Sequence, residues 1–207
     1  MRTWFYSDPH FWHANVIKYC NRPFTSVEEM NEALVRAWNE VVQPDDIVYC
    51  LGDFSFAARP VELFSSRLMG QKMLIPGNHD PIHPYNKHQK KMVKRGQPDY
   101  WKEFYATNGW KVLDIIEELS VPGHANFVLS HMPYDTVDER YIKYVPKNEG
   151  KWLICGHVHQ HWRMKGKMIN VGVDAWGGKP VSLEAILELV QQYPDGANLP
   201  PLTWDQK

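Results

Sequence analysis

An α/β layered fold is what this chain of 207 residues predicts, and two features of the sequence predict it. Short apolar runs recur along the chain, and each stops at a histidine, aspartate or glycine cluster. Between them lie segments whose apolar residues repeat at helical rather than strand spacing. Strand alternating with helix in this way builds a sheet covered by helices, and the length suits one well-cored unit.

Taken in order, Thr3-Trp4-Phe5-Tyr6 precedes Ser7-Asp8, and Ile47-Val48-Tyr49-Cys50-Leu51 precedes Gly52-Asp53. Lys72-Met73-Leu74-Ile75 leads into Pro76-Gly77-Asn78-His79-Asp80, and Phe127-Val128-Leu129-Ser130 into His131. Trp152-Leu153-Ile154-Cys155 leads into Gly156-His157-Val158-His159. Apolar runs this short, closed by turn residues, read as buried strands. A further candidate runs from Met168 to Val173. Ser26 or Thr25 caps a helix over Val27 to Val42: Ser26 with Glu29 resembles a capping box, and Met30, Leu34, Trp38 and Val41 recur at helical spacing. Pro60 to Leu68 reads as a second helix with proline in its first turn. Ser182 to Gln192 reads as a third, with Leu183, Ile186, Leu187 and Val190 on one face. Pro81 to Pro98 has no clear period and is expected to be a loop or a partly helical insertion. No linker or repeat divides the chain, so residues 1–207 are expected to form a single domain, irregular after about residue 194.

Composition excludes several classes. A formal net charge of -1 supplies no global attraction to nucleic acid or membrane. No apolar stretch is long enough to cross a bilayer, and Met1 to Tyr6 is too short and aromatic for a signal h-region. The three cysteines, Cys20, Cys50 and Cys155, are odd in number and lack CxxC spacing, which fits reduced thiols in a cytoplasm. Cys50 and Cys155 end apolar runs, where free cysteine packs as a small hydrophobe.

In an α/β sheet the loops at the carboxyl edge converge on one crevice. Here that edge would collect Asp8, His10, Asp53, Asn78, His79, His131, His157 and His159. Asp8 and His10 are two apart, so in extended chain both point to one side, and His157 and His159 repeat the spacing. Gly52, Gly77 and Gly156 would let the backbone turn before each polar group.

The ordered set Asp8-x-His10, Gly52-Asp53, Gly77-Asn78-His79-Asp80, His131 and Gly156-His157-x-His159 resembles the calcineurin-like metallophosphoesterase superfamily. The stretch Ser7 to His13 through Asn21-Arg22-Pro23-Phe24 further resembles its small bacterial and phage members without a cap domain. The resemblance implies a four-layer α/β/β/α sandwich with a binuclear metal site. It assigns Asp8, His10 and His159 to one ion, Asn78, His131 and His157 to the other, and Asp53 as the bridge, since a carboxylate has two oxygens to share. Oxygen and imidazole donors without thiolate suit two divalent ions, Mn²⁺ first, with Fe, Zn²⁺, Ni²⁺ or Co²⁺ as alternatives. The chain departs from the common pattern after Asp53: where many members continue with an acid, it reads Phe54-Ser55-Phe56.

Two divalent ions against two carboxylates leave surplus positive charge, which favours a bridging hydroxide and an anionic substrate. The resemblance places His79 facing the substrate, where it would stabilise the transition state and protonate the leaving alkoxide. Asp80 either orients that imidazole or serves as a turn residue. His13 would touch substrate or ligand, His161 would sit at the rim, and Arg22 would bind phosphate bidentately or remain an ordinary solvated arginine. Asn170 and Asp174 either support the ligand histidines or form a turn. His83, His88 and His124 read as structural. The basic run Lys87, Lys90, Lys91, Lys94 and Arg95 is either a solvated face or a guide for a nucleotide or oligonucleotide. The expected function is phosphodiester hydrolysis, with phosphomonoesterase action on nucleotides or phosphoproteins as the alternative and a non-catalytic binding platform as the third reading.

Overall fold

The computed structural model describes residues 1–204 and holds two sheets. In the first, β1 (Thr3–Tyr6), β2 (Ile47–Cys50), β3 (Gln71–Leu74) and β4 (Trp110–Val112) run parallel in that order. In the second, β5 (Ile116–Leu119), β6 (Phe127–Ser130), β7 (Trp152–Cys155), β8 (Met164–Gly166) and β9 (Met168–Asn170) are joined by β11 (Ala197–Leu199), in the order β11-β8-β9-β7-β6-β5. β10 (Val181–Ser182) closes the first sheet, antiparallel to β1. The central strands of both sheets are parallel, so their carboxyl ends open in common directions, and the antiparallel pairs lie at the edges.

The period-two alternation of the strands sorts their side chains into separate cores. Trp4, Tyr6, Val48, Cys50 and Leu74 face one cluster, in which α1 (Ala14–Tyr19), α2 (Val27–Val41), α3 (Ala58–Phe64) and α5 (Tyr100–Thr107) bury Val16, Trp38, Val61 and Tyr105. Phe5, Leu51 and Ile75 point the other way and meet Phe127, Leu129, Trp152, Ile154 and Ile169 of the second sheet. Onto this inter-sheet core pack Ile186 and its neighbours from α6 (Leu183–Gln192). Val128, Leu153 and Cys155 occupy the far face of the second sheet, beneath Tyr134 and Trp162. Two sheets packed face to face, with helices covering the outer face of the first, agree with the layered α/β fold that the resemblance implies.

The expected strands agree with the structure to within a residue or so at most ends, and the buried runs Phe127–Ser130 and Trp152–Cys155 keep their bounds. Met168 to Val173 stops as a strand at Asn170, after which Gly172 bridges to Ser7. The expected capping box is present in altered form: Ser26 Oγ accepts from Glu29 N, but the Glu29 carboxylate returns to Thr25 rather than Ser26. Pro60 lies in α3, which ends at Phe64 and tightens into a 3₁₀ turn over Ser65–Arg67. The 81–98 insertion contains α4 (Lys87–Lys94). The tail after Pro194, expected to be irregular, pairs as the edge strand β11 with β8, and Trp204 stacks edge-on against Phe24. Such a strand has no signature of its own: Ala197-Asn198-Leu199 takes its conformation from the edge it completes.

Candidate metal centre

The loops after β1 and β2 are stitched together before any side chain is considered. Asp8 N donates to Gly52 O at 3.0 Å, His10 N to Asp53 O at 3.1 Å and Phe11 N to Phe54 O at 2.9 Å. Gly156 N donates to His131 O at 3.2 Å, joining the loops after β6 and β7 in the same way. Asp8, His10, Asp53, His157 and His159 all take positive φ, at 57°, 51°, 52°, 72° and 46°. That region is costly for side chains with a Cβ and persists only where surroundings over-determine it. The two-residue spacing therefore works by alternate left-handed residues, not by the extended chain that the sequence suggested. Of the three glycines expected to turn, Gly52 does so, at φ 85°. Gly77 and Gly156 are needed for close approach instead, since a Cβ would collide with Asp53 Oδ1 in the first case and with Ser7 Oγ in the second.

The donors gather at one rim. His10 Nε2 lies 3.9 Å from Asp8 Oδ1 and 3.6 Å from Asp53 Oδ2, and His159 Nε2 lies 3.9 Å from Asp8 Oδ1. His131 Nε2 lies 3.4 Å from Asp53 Oδ2. Asn78 is buried and places its Nδ2 3.3 Å from Tyr141 Oη. The rings of His131 and His157 stand 5.2 Å apart. Asp53 uses one oxygen rather than two: Oδ2 faces the histidines of both sides, while Oδ1 accepts the His79 backbone N–H at 2.9 Å.

These residues fit divalent ions on three counts. Donors bound at ~2.1 Å to one ion stand roughly 3.0–3.5 Å apart or more, close to the separations seen here and long for hydrogen bonds. Asp8 Oδ1, Asn78 Oδ1 and His131 Nε2 are buried without a hydrogen-bond partner among the described residues, a costly state unless an ion completes them. Charge makes the same demand. Burial alone would lower the His131 pKa, yet Asp53 outweighs it and raises the imidazole to about 9. His159 is raised to about 11 against burial, chiefly by its bond to Asp174. His157, desolvated and beside His131, falls to about 4. A proton on His131 or His159 supplies positive charge that a bound cation would supply in its place.

The remaining ring nitrogens are held from behind. His131 Nδ1 donates to Leu51 O at 2.7 Å, and His159 Nδ1 donates to Asp174 Oδ2 at 2.9 Å. Since a carbonyl only accepts, Nε2 of His131 is left to face the rim. Asn170 Nδ2 donates to His159 O at 2.7 Å. Asp174 and Asn170 thus both brace the His157–His159 loop, and Asn170 Oδ1 also accepts from Gly172 N at 2.8 Å, closing the turn. Cys20 Sγ sits 3.3 Å from His159 Nδ1, a contact that no spacing in the sequence announces. Cys50 and Cys155 are buried as expected.

Arg22 is neither a phosphate ligand nor a solvated arginine, and Asp80 takes the turn role. Arg22 is buried, bonds Asp174 bidentately at 2.8 and 2.9 Å, and donates to Pro9 O and Asp8 O at 2.8 Å each. Its guanidinium is spent on fixing the first loop and Asp174, leaving nothing for a phosphate. Asp80 does not orient His79. Its carboxylate accepts from Asp53 N, Phe54 N, Ser55 N and Gly77 N, so it shapes the Asp53 loop. Burial and the neighbouring Asp53 raise its pKa to about 7. His83 is buried against Tyr144, as a structural histidine.

His79 stands at the mouth, its side chain 42% exposed and its Nε2 4.0 Å from Asp53 Oδ2. Phe56 packs its ring 4.3 Å from that of His79 and 4.5 Å from that of His13. Phe56 and Tyr141 also line the cleft; Phe56 falls where the chain departs from the common family pattern, whereas Tyr141 sits in a loop whose sequence carries no pattern.

Fold and rim together define a metal-dependent phosphoesterase of the two-sheet type, and the chain belongs to the calcineurin-like phosphoesterase family, whose model matches residues 1–161. Among known proteins it is 34% identical to the gene 66 protein of Mycobacterium phage L5, covering 91% of this chain and 93% of that one. It is 36% identical to the protein MJ1445 of Methanocaldococcus jannaschii, over 90% of this chain and 89% of the relative. The crystal structure of AQ665, a protein of unknown function from Aquifex aeolicus, superposes with a TM-score of 0.62 at 25% identity, covering 91% of this chain and 98% of that one. The family's chemistry is the hydrolysis of phosphate esters with divalent metals.

Proposed function

We propose that the chain is a binuclear metallophosphoesterase that prefers phosphodiesters. The observation that carries it is the set of orphaned buried donors, Asp8 Oδ1, Asn78 Oδ1 and His131 Nε2, together with the grouping of Asp8 and His131 about Asp53. Asp8, His10 and His159 would hold one ion, Asn78, His131 and His157 the other, and Asp53 would serve both. When bound, such ions supply Lewis acidity toward the phosphoryl oxygens and lower the pKa of water. Mn²⁺ is the first choice among ions suited to these donors.

The chain's own groups do the rest. Arg22 and Asp174 set the position of Asp8 and His159, and Asp80 sets that of Asp53. His79 reaches the mouth, where a proton delivered from its ring to the leaving oxygen would complete the cleavage. Hydrolysis of a diester consumes one water, breaks one P–O bond and yields a monoester and an alcohol. The diester preference is supported by the open cleft beside Asn78 and His79, which leaves room for a second substituent on phosphorus. Free Cys20, Cys50 and Cys155 accord with a cytoplasmic setting, and no helix among the described residues is long and apolar enough to cross a membrane.

The test is turnover of bis(p-nitrophenyl) phosphate and p-nitrophenyl phosphate by Mn²⁺-loaded protein, with metal content measured in parallel. Diester turnover abolished by chelator and restored by Mn²⁺ is expected, with about two ions per chain. Turnover of the monoester alone would replace the diester reading with a phosphatase. No turnover of either ester with any of the named metals would favour a binding platform.

A further inference from the structure

Beside Asn78 and His79 opens a cleft of about 470 Å³, walled by the rings of Phe56, Tyr85 and Tyr141 and by Lys87 and Lys90. A second depression of about 450 Å³ shares Lys87 and Lys90 and adds Lys91, Lys94 and Arg95. Each is of a size that takes a small organic ligand, and together they lead from the metal rim along α4.

The placement of these cations is not that of an ordinary surface helix. Positions 87, 90, 91 and 94 stand at i, i+3, i+4 and i+7, a single helical stripe. Like charges at that spacing work against the helix. Some lysines elsewhere pair with carboxylates, as Lys151 does with Glu118 and Lys165 with Asp135, and others, such as Lys102 and Lys111, stand unpaired among the described residues. What sets this stripe apart is that its cations cluster on one helical face beside the cleft and none of them is ion-paired among the described residues. The helix is nevertheless anchored to the site. Asn86 caps it by accepting from His88 N at 3.0 Å, and its Nδ2 donates to His79 O at 3.0 Å. A second chain of contacts runs from Asn78 to Tyr141 Oη, then to Tyr85 with rings 4.9 Å apart, then to Lys90, whose Nζ lies 4.4 Å from the Tyr85 ring centroid.

We propose that this surface binds the phosphodiester backbone of a single-stranded oligonucleotide extending away from the scissile bond. Unpaired lysines along ~10 Å of helix meet successive phosphates, while the rings lining the cleft meet nucleosides, the combination by which single strands are held. A chain of phosphate alone would make no use of the three rings. The proposal rests on the phosphoesterase reading for the scissile bond and on the charge pattern for everything beyond it.

The experiment follows fluorescence anisotropy of a fluorescein-labelled, phosphorothioate-linked octathymidylate on Mn²⁺-loaded protein over a range of salt concentrations. For single strands the slope of log affinity against log salt is about 0.7 per phosphate neutralised. The Lys91→Ala/Lys94→Ala variant should therefore lose about 1.4 from the slope of the unsubstituted protein. Lys91→Gln/Lys94→Gln, which keeps length and helix propensity, should lose the same amount. Equal slopes in folded variant and unsubstituted protein would overturn the proposal, as would inorganic polyphosphate competing as well as an oligonucleotide of equal charge. The enzymatic reading fails separately: no ester turned over while the slope still drops leaves a nucleotide-binding surface without the reaction, and turnover with unchanged slopes leaves the reaction without this surface.

Discussion

At the scale of single residues, the site divides into groups that face the rim and groups that hold them there. His79 belongs to the first set, with its side chain 42% exposed at the mouth and its Nε2 4.0 Å from Asp53 Oδ2. His79→Ala is expected to lower kcat about 10²- to 10⁴-fold while elemental analysis still finds the full metal content; a lost ion would move His79 into the ligand set. Asp174 belongs to the second. It joins the buried Arg22 to His159 Nδ1, and these partners overcome burial to hold its pKa down to about 2. Asp174→Asn leaves a buried guanidinium without its counter-charge, which costs on the order of 3 kcal/mol, read from urea denaturation. Freed from its carboxylate, His159 should bind metal about 10- to 100-fold more weakly, read by competition with a chelating dye. Destabilisation without the affinity change would make the pair structural only.

At the scale of elements, the ends of the strands opposite the site are fastened by one carboxylate. Asp46 accepts from Arg2 N at 2.6 Å, Trp4 Nε1 at 3.0 Å and Gln43 N at 3.0 Å, tying β1 to the turn before β2. Burial would raise its pKa, but these bonds prevail and lower it. Because the folded value lies below the unfolded one, near ~3.9, the stabilisation is complete above that value and disappears as pH falls through the folded pKa. Asp46→Asn should therefore cost about 1–2 kcal/mol at every pH from 8 down to 5. The difference in urea midpoint between variant and unsubstituted protein should narrow below about pH 4. A gap independent of pH would show that shape rather than charge matters at this position.

At the scale of the whole molecule, the buried carboxylates Asp8, Asp53 and Asp80 lie close together at the mouth of the sandwich. Folding gathers these carboxylates there against protonated imidazoles, a compensation that bound cations would take over. Thermal unfolding should shift upward with Mn²⁺, by the equivalent of about 2.7 kcal/mol once free metal reaches a hundred times its dissociation constant. Scanning calorimetry at several metal concentrations checks this; a Tm insensitive to Mn²⁺, Fe²⁺, Zn²⁺, Ni²⁺ and Co²⁺ alike would count against a metal centre.

The sequence by itself determined the buried strands, the long amphipathic helices and the family to which the chain belongs. Those features are written in local periodicity: an apolar run closed by Gly52-Asp53 or Gly156-His157 needs no distant partner to be read. Tertiary structure alone decided which oxygen of Asp53 faces the histidines, that Arg22 turns inward to Asp174 across the chain, and that Asp80 serves the backbone of the Asp53 loop. It also decided that Asp8, His10, His157 and His159 adopt left-handed backbone, and that Ala197–Leu199 completes a sheet edge. The physical reason is the same throughout. Local propensity sets what an element is, whereas hydrogen-bond direction, backbone strain and edge pairing are settled only when segments distant in sequence meet and compete for the same donors and space.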